Sequence, residues 1–129
     1  MKKLVFYKCM HCGNVVVKLV NSSVPLFCCG EPMKELAANN TDAALEKHVP
    51  VLEENSKELV VKIGSVPHPM LPEHYIAFIV LETENGFQVR NLSPNDKPEA
   101  SFIKPTEKVL RVYEYCNLHG LWVYEAKNT

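Results

Sequence analysis

The chain has 129 residues, 47% of them hydrophobic and 22% charged, and a formal net charge of -1. That length supports one modest domain, or a modest domain with a small module attached. The near-neutral charge excludes a global attraction for nucleic acid or an anionic membrane surface, so any attraction for an anion must be local.

The N-terminus, Met1-Lys2-Lys3-Leu4-Val5-Phe6, begins like an export signal, but Tyr7, Lys8 and Cys9 end its apolar run early. No apolar stretch approaches the roughly 20 residues needed to cross a bilayer. The expected location is therefore the cytoplasm. Five cysteines are present, and Cys28 and Cys29 are adjacent. An odd count with neighbouring members suits metal ligation in a reducing compartment better than a disulfide framework.

Residues 1–37 carry Cys9-Met10-His11-Cys12-Gly13 and then Cys28-Cys29-Gly30. The Cys-x-x-Cys-Gly element is a metal knuckle: two thiolates point inward from a turn, and Gly13 takes the left-handed conformation the turn needs. Gly30 does the same after the second pair. Residues 14–20 are valine-rich and read as a strand. Cys9, Cys12, Cys28 and Cys29 thus form a candidate tetrathiolate site, and four sulfurs suit iron and zinc alike. Adjacent residues cannot both present ideal tetrahedral vectors, so distortion is expected on the Cys28-Cys29 side. With the sulfur shell full, His11 reads as an exposed turn residue. A segment this short buries too little apolar surface to fold alone, so metal and a partner chain are expected to support it, with a homodimer the simplest form.

Residues 37–44 are small and polar and read as a linker, which places the second domain at 38–129. There strands are expected at 49–53, 59–63, 75–83, 87–92, near Phe102, at 109–115 and at 121–124. The pair Asn85-Gly86 between two apolar runs signals a hairpin. Short strands with turn signals between them, and no long helical period, indicate an all-β antiparallel sandwich or barrel. The strand at 75–83 is almost continuously apolar and is expected to be central. Trp122 is assigned to the same core.

Chemistry-bearing residues gather at the ends of these strands. Glu46-Lys47-His48 precedes the first, Pro67-His68-Pro69-Met70 and Glu73-His74 lie in one loop, and Cys116-Asn117-Leu118-His119-Gly120 forms a turn near the end of the chain. A histidine alone is more often a surface or core residue than a ligand. Here, however, His48, His68, His74 and His119 accompany the one cysteine left over from the first site, and prolines on both sides fix the backbone of His68. Cys116 and His119 sit three positions apart in a tight turn, a spacing at which both reach one metal.

Read together and in order, Cys-x-x-Cys, Cys-Cys, Glu-Lys-His-Val-Pro, His-Pro-Met, His-Tyr and Cys-Asn-Leu-His-Gly resemble the desulfoferrodoxins, two-iron superoxide reductases, over essentially the whole chain. The resemblance implies a small desulforedoxin-like knuckle module followed by a neelaredoxin-like, immunoglobulin-like β-sandwich. It implies one iron held by Cys9, Cys12, Cys28 and Cys29, and a second held by His48, His68, His74, His119 and Cys116. It further implies reduction of superoxide to hydrogen peroxide with an external donor such as rubredoxin. Lys47 would attract superoxide and organise proton delivery, and Glu46 would close the site after product leaves. The competing reading is a non-enzymatic iron protein of electron transfer, with the histidine domain serving only as scaffold.

Overall fold

Every regular element among the described residues 4–39, 48–64 and 68–126 of this computed structural model is a β-strand. No helix among them is long and apolar enough to cross a membrane. The chain divides into two compact units, Met1–Ala37 and Ala38–Thr129.

In the first unit, β1 (Phe6–Lys8) is flanked by β2 (Val15–Val17) and β5 (Lys34–Glu35) in one antiparallel sheet. A separate hairpin pairs β3 (Phe27–Cys28) with β4 (Glu31–Pro32). Its two-residue loop is Cys29-Gly30, and both residues have positive φ, 54° and 78°. That is the primed turn geometry whose twist matches the flanking strands. Cys29 pays a steric cost for it that Gly30 does not. Gly13 is also left-handed, with φ 83°, and its N–H returns to the Cys9 carbonyl at 3.0 Å to close the knuckle. The strand expected at 14–20 stops at Val17, because β1 offers only three residues to pair with. Beyond it Lys18 Nζ donates to Asn21 Oδ1 at 3.1 Å and to the Val24 carbonyl at 2.8 Å, holding a loop instead.

The second unit has two antiparallel sheets. One runs β10 (Glu99–Ile103), β7 (Glu58–Ile63), β6 (Pro50–Glu54); the other runs β12 (Gly120–Glu125), β11 (Val109–Cys116), β8 (Ile76–Thr83), β9 (Gly86–Asn91). Period-2 alternation sends Leu59, Val61 and Ile63 of β7 and Ala100 and Phe102 of β10 into the core, where they meet Ile79 and Leu81 of β8 and Val112 of β11. β8 is interior to its sheet, as its apolar run implies. On the opposite face of this sheet, buried Glu82 accepts from Arg111 Nε at 2.7 Å and from Tyr113 Oη at 2.8 Å.

The hairpin signalled by Asn85-Gly86 forms one position earlier. Thr83 pairs with Gly86, so the loop residues are Glu84 and Asn85, and neither has positive φ. Glu107 overrides the local preference: it accepts from Thr83 Oγ1 at 2.8 Å and from Asn85 Nδ2 at 2.6 Å, tying the turn to the loop before β11. The outer edge of β12 is covered by Asn39. Its side chain exchanges hydrogen bonds with Val123, accepting from the amide at 2.9 Å and donating to the carbonyl at 3.2 Å.

Candidate metal centres

In the first unit the sulfurs of Cys9, Cys12, Cys28 and Cys29 all lie within 4.8 Å of one another, and none is in a disulfide. Two come from the knuckle and two from the β3–β4 turn. Backbone amides of Cys12 and His11 hydrogen-bond the Cys9 sulfur and hold it down at about 6. Cys29 is pushed up to about 12 by its hydrogen bonds to the Cys9 and Cys12 sulfurs, and Cys28 is raised by the same crowding. One thiolate forms readily here, and Cys28 and Cys29 resist joining it. A cation at the centre removes that conflict, so the donor set fits a thiophilic transition metal. His11 is exposed and pairs with Glu31 at 3.0 Å.

In the second unit the ends of the strands bring together donors distant in sequence. Donor atoms of His48, His68, Cys116 and His119 lie within 4.8 Å of one another. His74 stands beside this group, its ring edge-on to those of His68 and His119 with centroids 4.8 and 4.9 Å away. His48 precedes β6, His68 and His74 sit between β7 and β8, Cys116 ends β11, and His119 is in the turn to β12.

Hydrogen bonds set which nitrogen faces inward. His68 Nδ1 lies 2.6 Å from the Pro69 carbonyl, which can only accept, so Nδ1 carries the proton. Its Nε2 is buried and has no hydrogen-bond partner among the described residues. Burial pushes this imidazole down to about 4, keeping it neutral. A buried, neutral, unpartnered nitrogen is costly by itself and is the form a metal requires. His48 Nδ1 faces Glu114 Oε1 at 3.2 Å, which leaves Nε2 to point at His119 Nδ1, 3.4 Å away. His119 Nδ1 is in turn 3.8 Å from Cys116 Sγ. These nitrogen and sulfur donors stand close enough together for one cation to take all of them. Burial raises the Cys116 thiol, while the amides of His119 and Leu118 hydrogen-bond the sulfur and oppose that rise. Imidazoles with one thiolate suit iron, and the two groups of donors are consistent with two irons per chain.

Two further side chains hold His48. Glu114 and Trp122 are directly opposite each other on β11 and β12; one bonds its Nδ1 and the other stacks on its ring, with centroids 4.4 Å apart and planes 4° from parallel. Trp122 is buried, as expected, and packs on a donor ring. Burial pushes the Glu114 carboxyl up to about 9, so its carboxylate needs positive charge nearby. Sequence reading passed over Glu114. Its signal was a charged residue in step with Val112 and Cys116, at alternate positions of an apolar strand. Glu46 and Lys47 lie outside the described residues.

The model of the family described as desulfoferrodoxin matches residues 40–125, and that of the desulfoferrodoxin N-terminal domain matches residues 2–36. A desulfoferrodoxin of Syntrophotalea carbinolica is 50% identical over 97% of this chain and 98% of its own length. A superoxide reductase of Thermococcus kodakarensis is 41% identical, covering 63% of this chain and 86% of its own. Among solved structures, the superoxide reductase from Treponema pallidum superposes with a TM-score of 0.80 at 37% identity, covering 96% of this chain and 100% of the other.

Proposed function

The chain belongs to the desulfoferrodoxin family, and on that premise we propose that it is a superoxide reductase. Superoxide takes up one electron and two protons and leaves as hydrogen peroxide, with no oxygen released. The observation that carries this reading is the convergence of His48, His68, His119 and Cys116 donors on one point. These four residues, with His74 as a fifth ligand, would hold a ferrous ion, which would supply the single electron.

Four neutral imidazoles and one thiolate cancel only part of the ion's charge, which leaves a net attraction for a small anion. The Pro69 carbonyl holds His68 as an acceptor, and Glu114 faces Nδ1 of His48 and so turns its Nε2 toward the other donors; neither ring needs to turn to bind. The amides of Leu118 and His119 temper the electron donation of the Cys116 sulfur. Lys47 steers superoxide inward by its charge and organises the proton donor, and Glu46 supplies the carboxylate that closes the site after peroxide leaves. The resemblance of the Glu-Lys-His segment supports these two roles. Residues 1–37 act as the desulforedoxin-like tetracysteinate iron domain and residues 38–129 as the superoxide-reducing sandwich. A small one-electron donor such as rubredoxin re-reduces the site. The protein works as a homodimer in the cytoplasm, where a reducing medium keeps the thiols available.

Rapid mixing of the reduced protein with superoxide tests the reading. One peroxide should form per superoxide consumed. Release of oxygen in half that amount would mean dismutation and would overturn it. Lys47→Ala should slow the reaction and flatten its salt dependence while iron stays bound; an unchanged salt dependence removes the steering role.

A further inference from the structure

The regular ladder between β8 and β11 ends where two donor-bearing segments must be held together. Tyr115 pairs with Phe78, but the next pair is Cys116 with Ile76, a slip in register. Past that slip Asn117 takes over the pairing. Its backbone N–H donates to the Tyr75 carbonyl at 3.2 Å. Its side-chain Oδ1 accepts from the Tyr75 N–H at 2.8 Å, and Nδ2 donates to the Glu73 carbonyl at 3.1 Å. These three bonds bracket His74 on both sides. The side-chain amide uses one donor and one acceptor here, as a peptide unit does, and so extends the ladder beyond the last paired strand residue.

The loop has other supports, but they act elsewhere. Leu71 and His74 exchange backbone hydrogen bonds of 2.8 and 3.0 Å, which close the turn. Met70 is held by the Asn95 amide at 2.8 Å and by the Ile76 amide on its sulfur at 3.4 Å. None of these ties His74 to the segment that carries Cys116 and His119.

We propose that Asn117 is the positioning residue for His74: its side-chain amide clamps the backbone on both sides of that histidine to the Cys116–His119 turn, and so delivers the fourth imidazole to the metal. The inference rests on reading His74 as a ligand. Substitutions discriminate by chemistry. Aspartate keeps the size and the acceptor for Tyr75 N–H but has no donor for the Glu73 carbonyl, whereas alanine loses both.

The experiment uses the full chain with both iron centres loaded. It follows iron loss to a chelator through the separate visible bands of the two centres, and amide exchange at Tyr75. Asn117→Ala should release iron from the histidine-rich centre about 10–100-fold faster, the range typical of an outer-shell partner. The tetracysteinate centre of the same molecule should release iron at its original rate. In a His74→Ala background the same substitution should add nothing, since its effect runs through that ligand. Asn117→Asp, which preserves volume and guards against misfolding, should keep Tyr75 protected from exchange and release iron at an intermediate rate. Equal release from wild type and Asn117→Ala, or full additivity with His74→Ala, would overturn the proposal. A wild-type protein that holds iron but fails to consume superoxide defeats the activity proposed above without touching this result, because release does not depend on turnover.

Discussion

Among its described residues, the unit Met1–Ala37 buries only Phe6 and Cys9, and its strands are two or three residues long. The unit Ala38–Thr129 buries an aliphatic and aromatic cluster drawn from four strands of two sheets. The donor groups differ in the same sense. Four sulfurs from two short turns hold the first unit together, so there the metal supplies what a core would. In the second unit the two sheets bury a core of their own, and His48, His68 and Cys116 are buried as well. Metal binding is therefore expected to stabilise the fold of the first unit far more than that of the second.

That contrast is broken most severely by removing one sulfur. Cys12→Ser should forfeit metal-linked folding free energy on the order of 10 kcal/mol in the first unit. Limited proteolysis should then cut within residues 1–37, while the visible band of the second centre and the reaction with superoxide survive. Loss of both centres together would show that the units are not separable.

Next in size is Phe102→Ala, which empties a fully buried site in β10. It should cost about 3–5 kcal/mol of the stability of the second unit. Denaturant titration should move the midpoint of that unit and leave the tetracysteinate band unmoved until higher denaturant.

Glu114→Gln is smaller again. It preserves shape while replacing the carboxylate that faces His48 Nδ1, and should weaken iron retention at the second centre by about tenfold to a hundredfold. A competition titration with chelator measures this, with the first centre as internal reference.

The smallest effect lies away from both centres. Burial, and then the hydrogen bond to Glu82, hold the Tyr113 phenol protonated above its ordinary range. A raised folded-state value means the stabilisation is fully present below the ordinary tyrosine pKa of about 10. It is lost as pH rises from there through the folded value, by up to about 1.4 kcal/mol per pH unit. Tyr113→Phe should cost about 1 kcal/mol at pH 8 and abolish that alkaline decline. The gap between wild type and variant, measured by denaturation, should therefore close by pH 11; a constant gap would refute the assignment.

Much of this was legible along the chain because it depends on local spacing. Cys9 to Gly13 is a knuckle by itself, and a period of two in residues 59–63 can bury only one face. Cys116 and His119 share a turn, so their common target was visible as well. The Asn85-Gly86 hairpin shows the limit: contacts from Glu107, 22 or more positions away, moved the turn by one residue. Trp122 was assigned to the core by its type, and only the register of β12 on β11 set it against His48.

Residue type and short-range pattern were enough to set the donor inventory, the all-β class and the family. The tertiary structure alone decided which nitrogen of His68 and His48 faces inward, that Glu114 and Trp122 seat one donor ring, and that Asn117 joins the His74 loop to the Cys116 turn. The physical reason is common to all three. A tautomer, a stacked ring and a bridging amide are each fixed by a partner brought near by sheet register, and register is a property of the paired strands, not of either strand alone.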